Sequence, residues 1–203
     1  MKLDHLAVSA STLAEGVDWV EAALGVALAG GGQHLVFATH NRLLGLGDLY
    51  LEVIAIDPSL PAPARPRWFD LDRFQGRPRL TNWILRSEDL TSDLAAFPAA
   101  VGTPVALSRG DFHWSMAVPE DGRLPYENAC PALIQWSGHL HPTQRLPDAG
   151  VRLERLEIVH PDADALQAAL AGRFADPRVG IAPGPDKAMR ATFRTPHGMR
   201  VLA

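Results

Sequence analysis

Three times along this chain a short apolar stretch of strand character leads into a segment whose apolar residues recur at helical spacing, and the starts, marked by His5, Asn82 and Arg155, lie roughly 75 residues apart. Such repetition restricts the chain to folds built from copies of one supersecondary unit. The first copy spans residues 1–57. Residues 3–10 are β-like, Ser11 and Thr12 offer an N-cap, and Leu13, Val17, Val20 and Leu24 give a helical apolar stripe that Gly25 closes. Gly30-Gly31-Gly32 breaks the chain, and residues 33–39, 42–46 and 49–57 read as consecutive strands. The order is βαβββ.

Residues 58–79 follow as a connector, since Pro58, Pro61, Pro63 and Pro66 exclude a helix or an inner strand, and Trp68-Phe69-Asp70-Leu71 suits a short helical turn. The second copy covers 80–137: a strand over 80–87, a helix from Glu88 to about Phe97 ended by Pro98, strands at 104–108 and 112–118, a turn at Pro119-Glu120-Asp121-Gly122, and a strand at 132–136. The third, degenerate copy covers 152–203, with a strand at 153–159, a helix at 162–170 stopped by Gly172, and strands near 178–182, 188–195 and 199–202. Setting Leu90 on Leu13 brings Asn82 onto His5, and the fourth-strand Glu52 falls on Gln135. The fold class expected is α+β, with repeated βαβββ modules forming curved, open-barrel-like sheets and helices outside.

Composition excludes several functions. A net charge of −4, from 19 basic and 23 acidic residues, gives no support for nucleic-acid binding. No run of 18 apolar residues is present, so no membrane span is expected, and Asp4 and His5 interrupt any signal-like start. Cys130 stands alone, which suits a reducing, cytoplasmic setting. The basic residues are arginines apart from Lys2 and Lys187, which hints at a GC-rich bacterial source.

Asp4-His5-Leu6 in the first strand and Gly47-Asp48-Leu49-Tyr50-Leu51-Glu52 entering the fourth resemble the module of the vicinal oxygen chelate superfamily, which includes glyoxalase I, extradiol dioxygenases, and the fosfomycin and bleomycin resistance proteins. Thr39-His40-Asn41, Tyr50-Leu51-Glu52 and Arg67-Trp68-Phe69 are more closely similar to the glyoxalase-like domain family of bacteria, over nearly the whole chain. The resemblance implies modules packed as one unit, with the first and fourth strands each sending one metal ligand into a shared cup. Those places are held by His5 and Glu52. The turn Thr195-Pro196-His197-Gly198 resembles the superfamily's turn before the ligand strand, and it sets Leu202 on the glutamate place and Arg155 on the histidine place.

A divalent metal such as Zn, Ni, Fe or Mn takes imidazole and carboxylate donors, usually three from the protein with one place open. Paired modules would present His5, Glu52, Asn82 and Gln135, two of them neutral amides that add no charge. His5 and Glu52 therefore read either as metal ligands, with a third from His40, His113 or a neighbouring chain, or as a hydrogen-bonded pair in a metal-free pocket. His139 and His141 form a further pair, which Gly138 and Pro142 assign to a loop. Candidate ligand-binding residues are His40, Asn41, Trp68, Asn82, Trp83 and Gln135, with Glu52 as candidate catalytic base. Trp68 and Phe69, near Arg65 and Arg67, suit a lid over the cup that favours an anionic ligand. Two functions of different class remain open, a metal-assisted lyase, isomerase or dioxygenase-like enzyme and a resistance-type protein that sequesters a small molecule without turnover, with a carboxylate-only reaction by Glu52 in a dry pocket as a third. An odd third module must cover a sheet edge or pair across subunits, which points to a homodimer.

Overall fold

The computed structural model describes every residue except 96 and 98, so the expected helix end at Pro98 lies outside the described residues. The first unit runs β1 (Lys2–Ser9), α1 (Leu13–Leu24), β2 (Gln33–His34), β3 (Thr39–Gly45) and β4 (Tyr50–Ile56). The second runs β5 (Arg79–Arg86), α2 (Leu90–Ala95), β6 (Thr103–Arg109), β7 (Phe112–Val118) and β8 (Ala132–Trp136). The third runs β9 (Arg152–His160), α3 (Ala163–Leu170), β10 (Val179–Pro183), β11 (Ala188–Thr195) and β12 (Gly198–Leu202). The fold is α+β.

The first two units share one eight-stranded sheet in the order β2-β3-β4-β1-β5-β8-β7-β6, in which each half repeats the other about the β1–β5 seam. β1 and β5 are antiparallel, while β1–β4 and β5–β8 are parallel. This sheet curls until its two edges meet, because Arg109 at the end of β6 reaches His34 in β2. One face becomes the inside of a cup, and the other carries α1.

The local reasons are those a short amphipathic unit requires. Thr12 caps α1 by accepting from the Glu15 N–H, and Gly25, at φ 74°, donates to the Glu21 carbonyl. His5 on β1 lines the cup, so alternation leaves Leu6 and Val8 on the opposite, fully buried face. A register slip between Leu3↔Leu85 and His5↔Ile84 makes Asp4 the extra residue on β1 and re-aims its side chain.

Two expectations need correction. The strand expected over 33–39 stops at His34, because Gln33 pairs with His40 and His34 with Thr39, so the chain must reverse over the four residues between. Ala38 takes a left-handed φ of 48° there, and His40 and Asn41 fall within β3 rather than at its turn. The third unit keeps the order of elements but not the pairing: its sheet reads β10-β9-β11-β12. Its first and last strands are not neighbours, Arg155 stands opposite Thr192, and Leu202 stands opposite Ala191. It forms no second cup. It packs instead on the outer face of the large sheet, where Phe174 meets Trp83, and near α1, where His197 lies against Gly25.

Gly16 sits inside α1, where glycine ordinarily costs helix stability, yet a Cβ there would lie 2.5 Å from Val53 Cγ1 and 2.7 Å from Ala10 Cβ. The helix lies that close to the sheet. Gly16→Ala, despite its better helix propensity, should lower unfolding stability by about 1–3 kcal/mol through overpacking. Urea denaturation measures this, and an unchanged or raised midpoint would refute the close approach.

Candidate functional site

The site begins with Asp4, whose carboxylate is 1% exposed yet fully bonded. One oxygen lies 2.6 Å from His5 Nδ1; the other accepts from Trp136 Nε1 at 3.1 Å and lies 3.0 Å from His141 Nε2. Burial alone would raise its pKa, but the hydrogen bonds from His141 and His5 hold it well below the usual carboxylate range. An ionised carboxylate only accepts, so both histidines must present N–H to it. The His5 proton is thereby fixed on Nδ1. Its other nitrogen, Nε2, lies 3.7 Å from Glu52 Oε2, too far for a direct hydrogen bond but with both groups side by side. Tyr50 stacks on the His5 ring at 4.4 Å and holds its plane.

Glu52 is placed from the other side. Asn41 Nδ2 donates to Glu52 Oε1 at 2.6 Å, and Asn41 Oδ1 accepts from the Gly32 N–H and from Arg109 Nη1, each at 2.9 Å. Two donors on one amide atom fix which end is oxygen. Arg109 Nη1 also lies 3.3 Å from His34 Nε2. Burial, and then the Arg109 charge, push the His34 pKa down to about 3, so this ring is a neutral acceptor.

These groups surround a cavity of about 30 Å³, room for roughly two water molecules. Its polar lining is His5, His34, Asn41, Tyr50, Glu52 and Arg109; its apolar wall includes Trp68, Trp114, Met116, Ile134 and Trp136. A wider cleft of about 510 Å³ adjoins it and shares Leu43 and Arg109 as common wall.

Of the residues the sequence points to, His5, Asn41, Glu52 and Trp68 come together here. His40, one position from Asn41, faces away and lies 3.6 Å from Asp57. Trp83 is buried on the outer face, donating to the Ala129 carbonyl. Gln135 accepts from the Leu90 N–H and donates to the Glu88 carbonyl, so it ties down the start of α2 rather than lining the cup. Asn82 belongs to a row Glu52–Ala7–Asn82 across β4, β1 and β5, but it stops short of the cavity wall, with both amide atoms buried and unpartnered among the described residues. His113 is exposed on β7. His34, Arg109, Asp4 and His141 complete the site. Of these only the Asp4-His5 adjacency leaves a trace in the sequence.

The donor set does not fit a catalytic divalent metal. Such a site wants three protein donors, and only His5 and Glu52 converge. Of the other polar lining, His34 Nε2 and Asn41 Oδ1 are engaged by the Arg109 guanidinium, which repels a cation, and the second unit contributes Ile134 and Met116 rather than donors. Among the described residues no group of three or more His, Cys, Asp or Glu side chains is arranged to hold a metal ion.

A family model described as a glyoxalase-like domain matches residues 3–174. No curated protein matches the chain. A hypothetical protein from Staphylococcus aureus shares the fold, with a TM-score of 0.60 at 12% identity over 92% of this chain and 87% of that one. More distant are the Mn(II)-bound glyoxalase from Novosphingobium aromaticivorans (TM-score 0.48, 11% identity, 98% and 79% covered) and methylmalonyl-CoA epimerase from Mycobacterium tuberculosis (0.43, 18%, 68% and 88%).

The depressed pKa of His34 sets a pH dependence. The unfolded imidazole takes a proton near 6.5 that the folded one refuses until about 3, so stability should fall by about 1.4 kcal/mol per pH unit as pH drops through that window. Asp4 adds to the loss only below its ordinary value of 3.8, where the unfolded carboxylate is protonated first. His34→Gln keeps an acceptor for Arg109 and should flatten the slope between pH 6.5 and 4.5. Denaturation midpoints across that range measure it; equal slopes in both proteins would show that His34 is not held neutral.

Proposed function

Because the chain belongs to the glyoxalase-like domain family, we propose that its cup binds the carbonyl end of a small molecule and moves a proton on it with Glu52 and His5, without a metal. One observation carries this reading: Asp4 fixes the Nδ1 proton of His5, leaving Nε2 free beside the Glu52 carboxylate and facing a small cavity with an aromatic wall. A carboxylate and an imidazole so placed suit proton abstraction next to a carbonyl.

In this scheme Glu52 takes the proton from the carbon beside the carbonyl, and the C–H electron pair becomes the new carbon–carbon π bond. The carbonyl π pair moves to oxygen, which takes a proton from His5 Nε2 when the imidazole is doubly protonated. His5 is left with its Nδ1 proton on Asp4. Return of the proton to the other face of that carbon, with the enol proton going back to His5, completes an epimerisation; where that carbon carries a hydroxyl, loss of the hydroxyl proton and protonation of the former carbonyl carbon complete an isomerisation. Asn41 holds Glu52 in line, and the aromatic wall excludes water, which strengthens both transfers. The same wall of Trp68, Trp114 and Trp136 favours a second reading, sequestration of a flat molecule without turnover.

Deuterium uptake from D₂O into hydroxyacetone, 2-butanone and pyruvate, followed by proton NMR on EDTA-treated protein, tests the first reading. The wild-type protein should exchange at least one of these above buffer, and Glu52→Gln and His5→Ala should each lower the rate by about 100-fold or more. Binding with no exchange would leave sequestration, and exchange that EDTA abolishes would restore a metal.

A further inference from the structure

Proton transfer by His5 and Glu52 leaves two features of the site unused, the wider cleft and the charge of Arg109. The inner cavity, about 30 Å³, admits only the reacting end of a molecule, while the cleft beyond Arg109 has about 510 Å³. Arg109 lines both spaces, and it packs so closely on Gly32 that a Cβ there would meet Arg109 Cδ at 2.6 Å.

The guanidinium is held but not neutralised. Its Nη1 donates to two neutral acceptors, Asn41 Oδ1 and His34 Nε2. No carboxylate lies within 4 Å of it, and Nε and Nη2 have no protein partner, among the described residues. The other cation of the cleft, Arg145, is taken up by Asp111 at 2.8 Å and lies over the Phe112 ring. A guanidinium with two nitrogens uncommitted among the described residues thus lines both spaces. Asn41 separates it from Glu52, one amide group bridging the two, so an anion on Arg109 is kept apart from the carboxylate base.

We propose that Arg109 is a substrate-recognising residue, and that the substrate is an oxo carboxylic acid whose carboxylate docks on Arg109 in the glycine-lined cleft while its carbonyl reaches His5 and Glu52. A planar carboxylate matches the two free nitrogens of the guanidinium edge as a bidentate pair. A phosphate dianion would call for a second uncommitted cation, and Arg145 is committed. The class of substrate rests on the proton-transfer reading, whereas the anion preference of Arg109 does not.

The test compares 4-oxopentanoate with its neutral isostere 4-oxopentanamide, by calorimetry and by NMR shifts of the folded protein. Wild-type protein should bind the carboxylate about tenfold or more tightly than the amide, and the preference should weaken with salt. In Arg109→Met the preference should shrink to about twofold or less, while Arg109→Lys should keep part of it. Glu52→Gln should keep the preference and lose deuterium uptake into 4-oxopentanoate, which separates recognition from chemistry. An Arg109-dependent preference with no uptake by the wild type would sink the proton-transfer reading and leave the anion site standing. Equal affinity for acid and amide in the wild type would overturn the anion site, as would an undiminished preference in a folded Arg109→Met. Tighter binding of 3-oxobutylphosphonate than of 4-oxopentanoate would overturn the carboxylate assignment.

Discussion

A buried carboxylate without compensation is among the most costly groups a protein can hold, and the arrangement around Asp4 is the compensation. Three N–H donors from different parts of the chain converge on it: His5 from the same strand, Trp136 from β8, and His141 from the loop beyond β8. The nearest guanidinium, Arg86 Nε, stays 3.9 Å away, so hydrogen bonds carry the stabilisation more than ion pairing. Removing any donor would leave Asp4 short of one partner in a place where water cannot replace it. The first strand, the last strand of the large sheet and the His141 loop are therefore held in one geometry. The His5 tautomer is a by-product of that holding, and with it the chemistry available at Nε2.

From this follows a site with two unlike halves inside a sheet with two like halves. The symmetry of strand order about β1 and β5 would allow equivalent ligands from both units. Yet the first unit supplies His5, His34, Asn41 and Glu52, whereas the second supplies Trp114, Met116, Ile134, Trp136 and the single charge of Arg109. The cup thus carries polar groups on one wall and aromatic groups on the other, and only the polar wall keeps the positions that the family resemblance assigns to ligands.

Much of the fold was legible because it rests on local signals. Thr12 and Gly25 mark the ends of α1, alternation marks β1 and β4, and prolines mark the connector. The fourth-strand place of the second unit was offset by one position. Ile134 and Trp136 face the cup, so Gln135 between them must face away, and Trp83 cannot share a face with Asn82. Superposing helix starts cannot see such an offset, because the register slips on β1 and β5 are set by pairing across the seam. Arg109 left no trace, and His141 was legible only as a loop residue, for a related reason: each meets its partner from far along the chain, 68 residues from Asn41 and 137 from Asp4. Polar contacts of that range carry no periodicity. The third unit misled differently, since an identical order of elements is compatible with more than one strand pairing.

The connector shows how closure of the cup depends on both units. Phe69 and Asp70 stand consecutively at φ near 58° and 57°, a left-handed conformation costly for residues with side chains. It persists because the surroundings fix it. The Asp70 N–H donates to the Gly122 carbonyl in the second unit, the Asp70 carboxylate bonds Arg73 and lies 3.7 Å from Arg123, and Trp68 stacks on Phe37 of the first unit at 4.3 Å. Gly122 is required at this contact, since a Cβ there would lie 2.0 Å from the Arg67 carbonyl oxygen. The result places Trp68 in the cavity wall, with its indole N–H buried and unpartnered among the described residues. The same left-handed turn that ties the connector to both units thus sets one aromatic wall of the cavity.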